Sequence, residues 1–385
     1  MIKDDSSVRI IVGGDIVPTA NSTMAFSSGN ISELLDDSLI KLLTESDVRI
    51  FNLETPVTDK ECPIRKSGPH LRAEPDTIKG LAALNPTFVT LANNHIMDQD
   101  IQGYYDTVDN LKKYGIKHLG TGNSIKEVEH SSVIEINGVK IGIYACAEHE
   151  FSIAADDRPG ANPFSQAESY EHVKDLKQKS DVVIVLYHGG KEYYRYPSPN
   201  LQKYCRRFVD SGADLVLCQH SHCIGCAEEY NNGNIVYGQG NFLFDKYSND
   251  FVDTGLLVEI TINRQGKNVC YIPIFRSTPG TRSANEKQSK EILDEFYERS
   301  EKIKDSDFVK ETYDQFAKDQ YETLLMKFDI VSDGIFFKII NKMTGGRLRK
   351  HYFKKLLSRR STYMQGVLQC EAWNELLLCC LKQFE

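Results

Sequence analysis

Several short runs of β-branched and other apolar residues end at polar side chains of the kinds that bind metal ions. Such runs predict buried strands, so each of these polar residues lies at a strand end. They are, in chain order, Asp15, Asn52 and Glu54, Asn94 and His95, His188, and His220 and His222. One such position could reflect turn capping or chance. Five in one chain constrain it to a sheet protein whose strand ends share a site.

The order of the elements indicates two packed sheets. Apolar residues at helical spacing predict helices over 31–46, 78–84, 102–114, 165–179 and 201–211. Asn137-Gly138 joins two β-rich runs and is a strong hairpin signal, and a last hairpin is predicted over 256–274. Strand and helix alternate early, with hairpins in the middle and near the end. This mixture favours two sheets flanked by helices over a doubly wound sheet.

The ligand types favour a catalytic rather than a structural metal site. Histidines at i and i+2, such as His220 and His222, are able to reach one ion if the backbone between them turns, although that pair alone is equally compatible with a structural role. Oxygen and imidazole donors without thiolate favour Mn, Fe, Zn or Mg. Cys223 and Cys226 form a lone CxxC, for which small buried thiols are the preferred interpretation. One carboxylate able to bridge, an Asn oxygen and three histidines suffice for two ions.

A loop without regular pattern, residues 59–75, carries Arg65, Lys66, His70 and Arg72 close together. It could be a solvated basic loop. Alternatively it binds an anionic substrate, since Arg and Lys bind phosphate and carboxylate well.

Composition restricts the partners and the compartment. The net charge of −8 gives no reason to expect nucleic acid. Neither a signal peptide nor an 18-residue apolar span is recognisable, so we expect a soluble, cytoplasmic protein. Without a signal peptide the ten cysteines are expected to be free thiols.

The pattern becomes helical beyond residues 277–291, which we interpret as a linker. We therefore predict a domain over 1–280 and a helical region over 281–385, with a final helix over 373–381. Residues 347–360 hold seven Lys and Arg around apolar positions. This segment is either an ordinary surface helix or a site for a peripheral membrane or protein partner.

The spacing and order of the motifs resemble the calcineurin-like metallophosphoesterases, and more closely the CapA family, which is linked to bacterial poly-γ-glutamate capsule synthesis. The matching segments are GGD (13–15), NLETP (52–56), ANNH (92–95), HGGKEY (188–193), QHSH (219–222) and GQGNFLFD (238–245). Each motif alone is weak, but the combination is specific. The resemblance implies a four-layer α/β/β/α sandwich, here with a C-terminal helical extension.

The resemblance also implies roles for single residues. Asp15 and His222 would hold one metal, Asn94, His188 and His220 the other, and Glu54 would bridge them. His95 would be a general acid near the leaving group, for which a near-neutral pKa is suitable. Substrate contacts are expected from Asn52, Lys66, Arg72, Glu192 and Asn241. Related phosphoesterases carry a histidine where this chain has Val17, so the first metal would be weakly held and a single-ion enzyme is an alternative.

We therefore expect a metal-dependent hydrolase, of the phosphoesterase type, acting on an anionic cell-envelope or capsule intermediate. One alternative is a non-catalytic accessory component of poly-γ-glutamate assembly that binds polymer or a partner. Another is hydrolysis of γ-glutamyl amide bonds by the same metal-activated water, which the sequence does not distinguish from phosphoester hydrolysis.

Overall fold

The computed structural model describes residues 7–245, 249–263, 266–328 and 334–355, and the side chains of 321–328 are outside this description. The chain divides into two compact units, Met1–Lys310 and Glu311–Glu385. The domain boundary that we place at residue 280 stays a prediction. The predicted helix over 373–381 lies outside the described residues, as does the part of 347–360 beyond residue 355.

The described strands follow the apolar runs of the sequence. In chain order they are β1 (Val8–Val17), β2 (Val48–Leu53), β3 (Phe88–Thr90), β4 (His118–Leu119), β5 (Thr121–Gly122), β6 (Ser131–Ile136), β7 (Val139–Ala147), β8 (Gly160–Ala161), β9 (Val182–His188), β10 (Leu215–Gln219), β11 (Ala227–Tyr230), β12 (Gly233–Val236), β13 (Asn241–Phe244), β14 (Thr254–Asn263), β15 (Gly266–Ser277) and β16 (Gly280–Ser283).

The described helices are α1 (Thr23–Ser28), α2 (Ile31–Leu34), α3 (Asp37–Thr44), α4 (Ile78–Ala83), α5 (Asp100–Lys113), α6 (Ser169–Lys177), α7 (Pro199–Asp210), α8 (Glu286–Lys302), α9 (Ser306–Phe328) and α10 (Ile335–Met343). Short 3-10 turns occupy Pro75–Thr77 and Ile125–Glu127.

Two large sheets form the centre of the first unit. One has the order β16-β15-β14-β1-β2-β3-β4, with β13 also paired to β1, and the other has the order β11-β12-β10-β9-β7-β6. β1, β2, β3 and β4 are parallel to one another, as are β7, β9, β10 and β12. Parallel neighbours end at the same sheet edge, which brings the polar residues after these strands together.

Side-chain alternation along β7 shows how the layers pack. Ile141 and Ile143 belong to the core that the two sheets share. Tyr144 and Cys146, which point to the other face of the strand, pack with Phe208 of α7 and other side chains of α6 and α7. Leu39 of α3 and Leu111 of α5 belong to the same cluster of buried residues as the strands of the first sheet. The fold is thus an α/β four-layer sandwich, as the resemblance implied.

The predicted helix over 31–46 consists of two helices. Leu35 is extended, with φ −131° and ψ 155°, and Asp36 accepts a hydrogen bond from Leu39 N at 3.0 Å as the N-cap of α3. An Asp cap inside an otherwise helical pattern starts a new helix.

The interpretation of residues 277–291 as a linker is wrong. β16 pairs with β15 in the first sheet, and α8 starts at a capping box formed by Asn285 and Gln288. Phe296 of α8 is fully buried, with its ring centroid 4.8 Å from that of Tyr271. Polar composition suggested a linker because the strand is short and the helix is amphipathic.

Candidate metal centre

Two groups of buried side chains at the strand ends are arranged to hold cations. Glu54, His188 and His220 form one group, and Asp15, Glu54 and His222 form the other. The ligand atoms within each group lie within 4.8 Å of one another. Glu54 belongs to both groups, so its two oxygens are placed to contact two neighbouring ions.

The Glu54 carboxylate is the best indicator that this site binds cations. It is fully buried, and neither oxygen has a hydrogen-bond partner among the described residues. Oε1 is 3.2 Å from Nε2 of His188, but this nitrogen makes its hydrogen-bond contact with Oδ1 of Asn94 at 2.9 Å. Burying a carboxylate whose oxygens accept no hydrogen bond costs on the order of several kcal/mol. A divalent cation would satisfy these oxygens, so the donor set fits a metal.

A network of amides holds the ligands in place. Asn52 donates from Nδ2 to Oδ1 of Asp15 at 2.7 Å, and the same nitrogen is 3.2 Å from Nδ1 of His188. Asn93 donates in turn to Oδ1 of Asn52 at 3.1 Å. Asn52 was predicted to contact substrate. Its position between an acid and an imidazole indicates that it orients these two ligands, and the substrate contact stays a prediction.

Asn241, the first residue of β13, lies beside the second group of candidate ligands. Asp15 and Asn241 are register partners where β13 pairs with β1. Nδ1 of His222 is 2.9 Å from Oδ1 of Asn241 and 3.5 Å from Oδ2 of Asp15. Val17 is buried and follows Asp15 on the same strand. A valine supplies no ligand there, which is the physical basis for expecting a weaker hold on this ion.

The pKa shifts of His188 and His222 also indicate an excess of negative charge around them. Burial alone would lower the pKa of His222, but the Glu54 and Asp15 carboxylates raise it to about 10. Burial likewise opposes charge on His188, and the adjacent Glu54 carboxylate raises its pKa above the ordinary value. Burial and the nearby charges of His188 and His222 hold the pKa of His220 far below its usual range. The carboxylates thus favour the charged form of His188 and His222, whereas the surroundings of His220 favour its neutral form, which is able to ligate a cation.

The pKa of Asp15 is shifted in the opposite direction to those of His188 and His222. Burial would raise its pKa, but the hydrogen bond with His222 and the charge on His188 lower it below the ordinary value. Asp15 therefore stays ionised and able to ligate a cation.

The turn between the two histidines has strained backbone. His220 and His222 adopt φ values of 89° and 54°, a region that residues other than glycine visit at an energetic cost. This geometry directs both imidazoles toward the carboxylates, and the two ring centroids are 6.0 Å apart. Strain of this kind is concentrated at functional sites.

His95 lies in a separate arrangement beside the ligands. Its Nδ1 is 2.5 Å from Oδ2 of Asp98, and Nζ of Lys66 pairs with the other Asp98 oxygen and lies 3.2 Å from the same Nδ1. The carboxylate accepts from Nδ1 and orients the ring, which leaves Nε2 as the nitrogen that is able to exchange a proton with a substrate. Lys66 was predicted to contact substrate, but its side chain is only 3% exposed and its charge is matched by Asp98.

The remaining predicted substrate contacts lie in less defined positions. Arg72 is half-buried and pairs with Glu74 at 3.0 Å, so its charge is already balanced. Glu192 is half-buried in the turn after β9. The roles of both residues stay predictions.

Sequence reasoning missed three residues that support the site. They are Asp98, which orients His95, Asn93, and Glu150, whose Oε2 accepts from Nδ2 of Asn94 at 3.1 Å. Asp98 follows His95 by three residues, a spacing that could have suggested the pair. Glu150 follows β7, on the other sheet, and no local signal connects it with Asn94. Cys223 and Cys226 are buried free thiols, as predicted.

The fold is an α/β sandwich of two stacked sheets covered by helices, with carboxylate, amide and imidazole groups gathered at their strand ends. Residues 9–246 match the family model described as bacterial capsule synthesis protein PGA_cap. This match covers more than half of the chain, and the chain belongs to this family. The resemblance to the CapA family is thereby confirmed.

Relatives with known names are similar over part of their length. The capsule biosynthesis protein CapA of Bacillus anthracis is 32% identical over 213 residues, which cover 53% of this chain and 52% of that protein. The PGA biosynthesis protein CapA of Bacillus subtilis (strain 168) is 29% identical over 278 residues, 69% of this chain and 70% of that protein. The matched region is therefore about half of the first relative and somewhat more than two thirds of the second.

Among solved structures, a phosphatase from Mycoplasma pneumoniae aligns with a TM-score of 0.45 and 14% identity, covering 71% of this chain and 95% of that one. A similarity of this extent carries no argument about function. Among the described helices, none combines the length and apolarity needed to cross a bilayer. The cytoplasmic location stays a prediction.

Proposed function

We propose that the protein is a metal-dependent hydrolase of the phosphoesterase type. Asp15, Glu54 and His222 would hold one ion, and Glu54, Asn94, His188 and His220 the other. The observation that carries the proposal is the buried Glu54 carboxylate, which has no hydrogen-bond partner among the described residues and is shared by both ligand groups. A site meant only to bind polymer has no need for such a costly group.

Bound Mn, Fe, Zn or Mg would supply a polarised substrate oxygen and an activated water. The protein's own residues orient the ligands and supply the proton that the leaving group takes up. Asn52 fixes the positions of Asp15 and His188. Protonated His95, held through Nδ1 by Asp98, donates a proton from Nε2 to the leaving oxygen as the ester bond breaks.

The substrate class follows from the site and the family together. Phosphoester oxygens carry negative charge, which metal ions neutralise in the transition state. The relatives named above are capsule and PGA biosynthesis proteins, so we place the activity on an anionic intermediate of capsule assembly. Amide hydrolysis at γ-glutamyl bonds would use the same ligands and is decided by the substrate assay.

The first experiment is metal analysis of protein reconstituted with Mn or Zn and then desalted. Wild type should retain one or two ions per chain, while Glu54→Gln and His188→Ala should retain fewer. His118→Ala is the matched control, because His118 is a half-buried histidine on β4 outside both ligand groups. Wild type that retains no ion, or Glu54→Gln that retains as much as wild type, would overturn the proposal.

The second experiment separates catalysis from binding. Wild type is assayed on p-nitrophenyl phosphate, bis-p-nitrophenyl phosphate and γ-glutamyl-p-nitroanilide. His95→Gln should keep its metal and lose kcat by about 10²- to 10⁴-fold, since it removes proton donation only. Turnover of the anilide alone would identify an amidase. Metal binding without turnover of any substrate would favour the accessory role.

A further inference from the structure

Helix α10 has an apolar face that is exposed to solvent. Twelve large hydrophobic side chains are exposed in the described residues, and five of them lie in its nine positions. These five are Ile335, Phe336, Ile339, Ile340 and Met343. Phe336 and Met343 are 83% and 81% exposed. The spacing places all five along one side of the helix. Scattered exposed apolar residues are normal, whereas a continuous face marks an interaction surface.

The other side of the helix has a partner. Gly345 and Gly346, with φ values of 59° and 83°, form a turn that a residue with a side chain would adopt at a cost. Residues 347–355 are helical after this turn. The rings of Phe337 and Tyr352 then meet with centroids 5.6 Å apart. Residues 335–355 thus form a helical hairpin, the basic hairpin, which holds one side of α10 and leaves the apolar face open.

The charge of the basic hairpin is entirely positive. It contains Lys338, Lys342, Arg347, Arg349, Lys350, Lys354 and Lys355, and no Asp or Glu. The sequence stays free of acidic residues to position 370, although the chain as a whole has a net charge of −8. The positive charge of the hairpin is therefore not balanced within its own sequence.

We propose that the basic hairpin is a membrane-surface anchor that binds anionic lipid headgroups and inserts the apolar face of α10 among the acyl chains. An interfacial helix needs an apolar face flanked by Lys and Arg, and the negative surface of a bilayer attracts such a segment. A second copy of the hairpin would bring like charges together, which disfavours a dimer through this face. The proposal does not depend on the catalytic activity.

Flotation of the full-length protein with vesicles tests the anchor. Phosphatidylcholine vesicles with and without phosphatidylglycerol are compared at low and high salt. We expect binding to the anionic vesicles that weakens with salt. Phe336→Ser with Ile340→Ser should lower the partition coefficient at least about tenfold, because two apolar side chains no longer insert. Lys342→Glu with Lys350→Glu, at two exposed lysines of the hairpin, should lower it by about twentyfold or more.

Matched double variants in the first unit serve as controls. Ile101 and Tyr105 of α5 are also an exposed apolar pair one turn apart, so Ile101→Ser with Tyr105→Ser should leave the partition unchanged. Lys126→Glu with Lys287→Glu makes the same change of charge at two exposed lysines outside the basic hairpin, and is the control for the Lys→Glu double variant of the hairpin.

Three results would overturn the proposal. One is absence of binding to the anionic vesicles. Another is binding that the α10 variants and the controls reduce equally, which would indicate a general charge effect. The third is a dimer in light scattering that the Phe336 and Ile340 double variant dissociates, which would assign the face to a second copy. If residues 371–385 covered the face instead, that double variant would lower the midpoint of unfolding and the wild type would not float.

Discussion

The contribution of the buried ion pair between Lys66 and Asp98 to stability follows from its surroundings. The Lys66 side chain is 3% exposed and that of Asp98 is fully buried. At an effective dielectric constant of about 20, two unit charges this close attract each other by about 4 kcal/mol. Removing one partner of a buried pair costs about 3–5 kcal/mol, because the other charge stays unpaired. Asp98 retains two donors, Leu71 N at 2.6 Å and His95 Nδ1 at 2.5 Å. We therefore expect Lys66→Met to lower the free energy of unfolding by about 3 kcal/mol.

A double-mutant cycle measures the pair itself. Urea denaturation of wild type, Lys66→Met, Asp98→Asn and the double variant should give a coupling energy of about 2–3 kcal/mol. The exposed pair of Lys174 with Glu171, at 2.6 Å, is the control and should give less than about 1 kcal/mol. If the buried pair couples no more strongly than the exposed pair, the reasoning that burial strengthens it is refuted.

Three further predictions concern the pH dependence of stability, the close packing of Gly14 against Gly240, and the burial of Phe296 in α8. Since the folded-state pKa of His222 is raised from 6.5 to about 10, its contribution to stability is complete below pH 6.5 and is lost as pH rises toward 10. Metal-stripped protein should therefore show a falling melting temperature over that window by scanning fluorimetry, and His222→Gln should flatten the decline. Gly14→Ala should destabilise by about 1–3 kcal/mol in urea and reduce metal retention, because the added Cβ would lie 2.1 Å from the Gly240 carbonyl oxygen; unchanged metal content would contradict this. Phe296→Ala should cost about 3–5 kcal/mol in the same unfolding transition that releases the metal, whereas a separate, earlier transition would support the domain boundary at residue 280.

The fold was readable from the sequence because strands buried on both faces leave long apolar runs. β9, from Val182 to His188, is buried throughout and ends at a candidate ligand. The hairpin at Asn137-Gly138 was readable for a local reason, since both residues adopt positive φ in the structure. Both signals lie within a few consecutive residues.

Contacts between residues that are far apart in the sequence could not be predicted from such local signals. Lys66 lay in a loop whose basic composition suggested a clamp for anions, and its ion pair depends on Asp98, 32 residues later. The polar stretch near residue 280 concealed β16 because a strand at the edge of a sheet needs few apolar residues. The candidate ligands were chosen from their positions after strands, but their separation across two sheets is a property of the packing alone.

The ligand groups are divided between the sheets in a particular way. Both carboxylates and the amides of Asn52, Asn94 and Asn241 lie in or next to strands of the first sheet, and the three imidazoles of His188, His220 and His222 lie at or just after the ends of strands of the second. Neither sheet alone contains a complete site. Under the proposed metal binding, an ion would be retained only when both halves have met in the correct register. The metal content of freshly synthesised protein would then report the completion of folding, and chelation would act as a mild unfolding agent where the two halves meet.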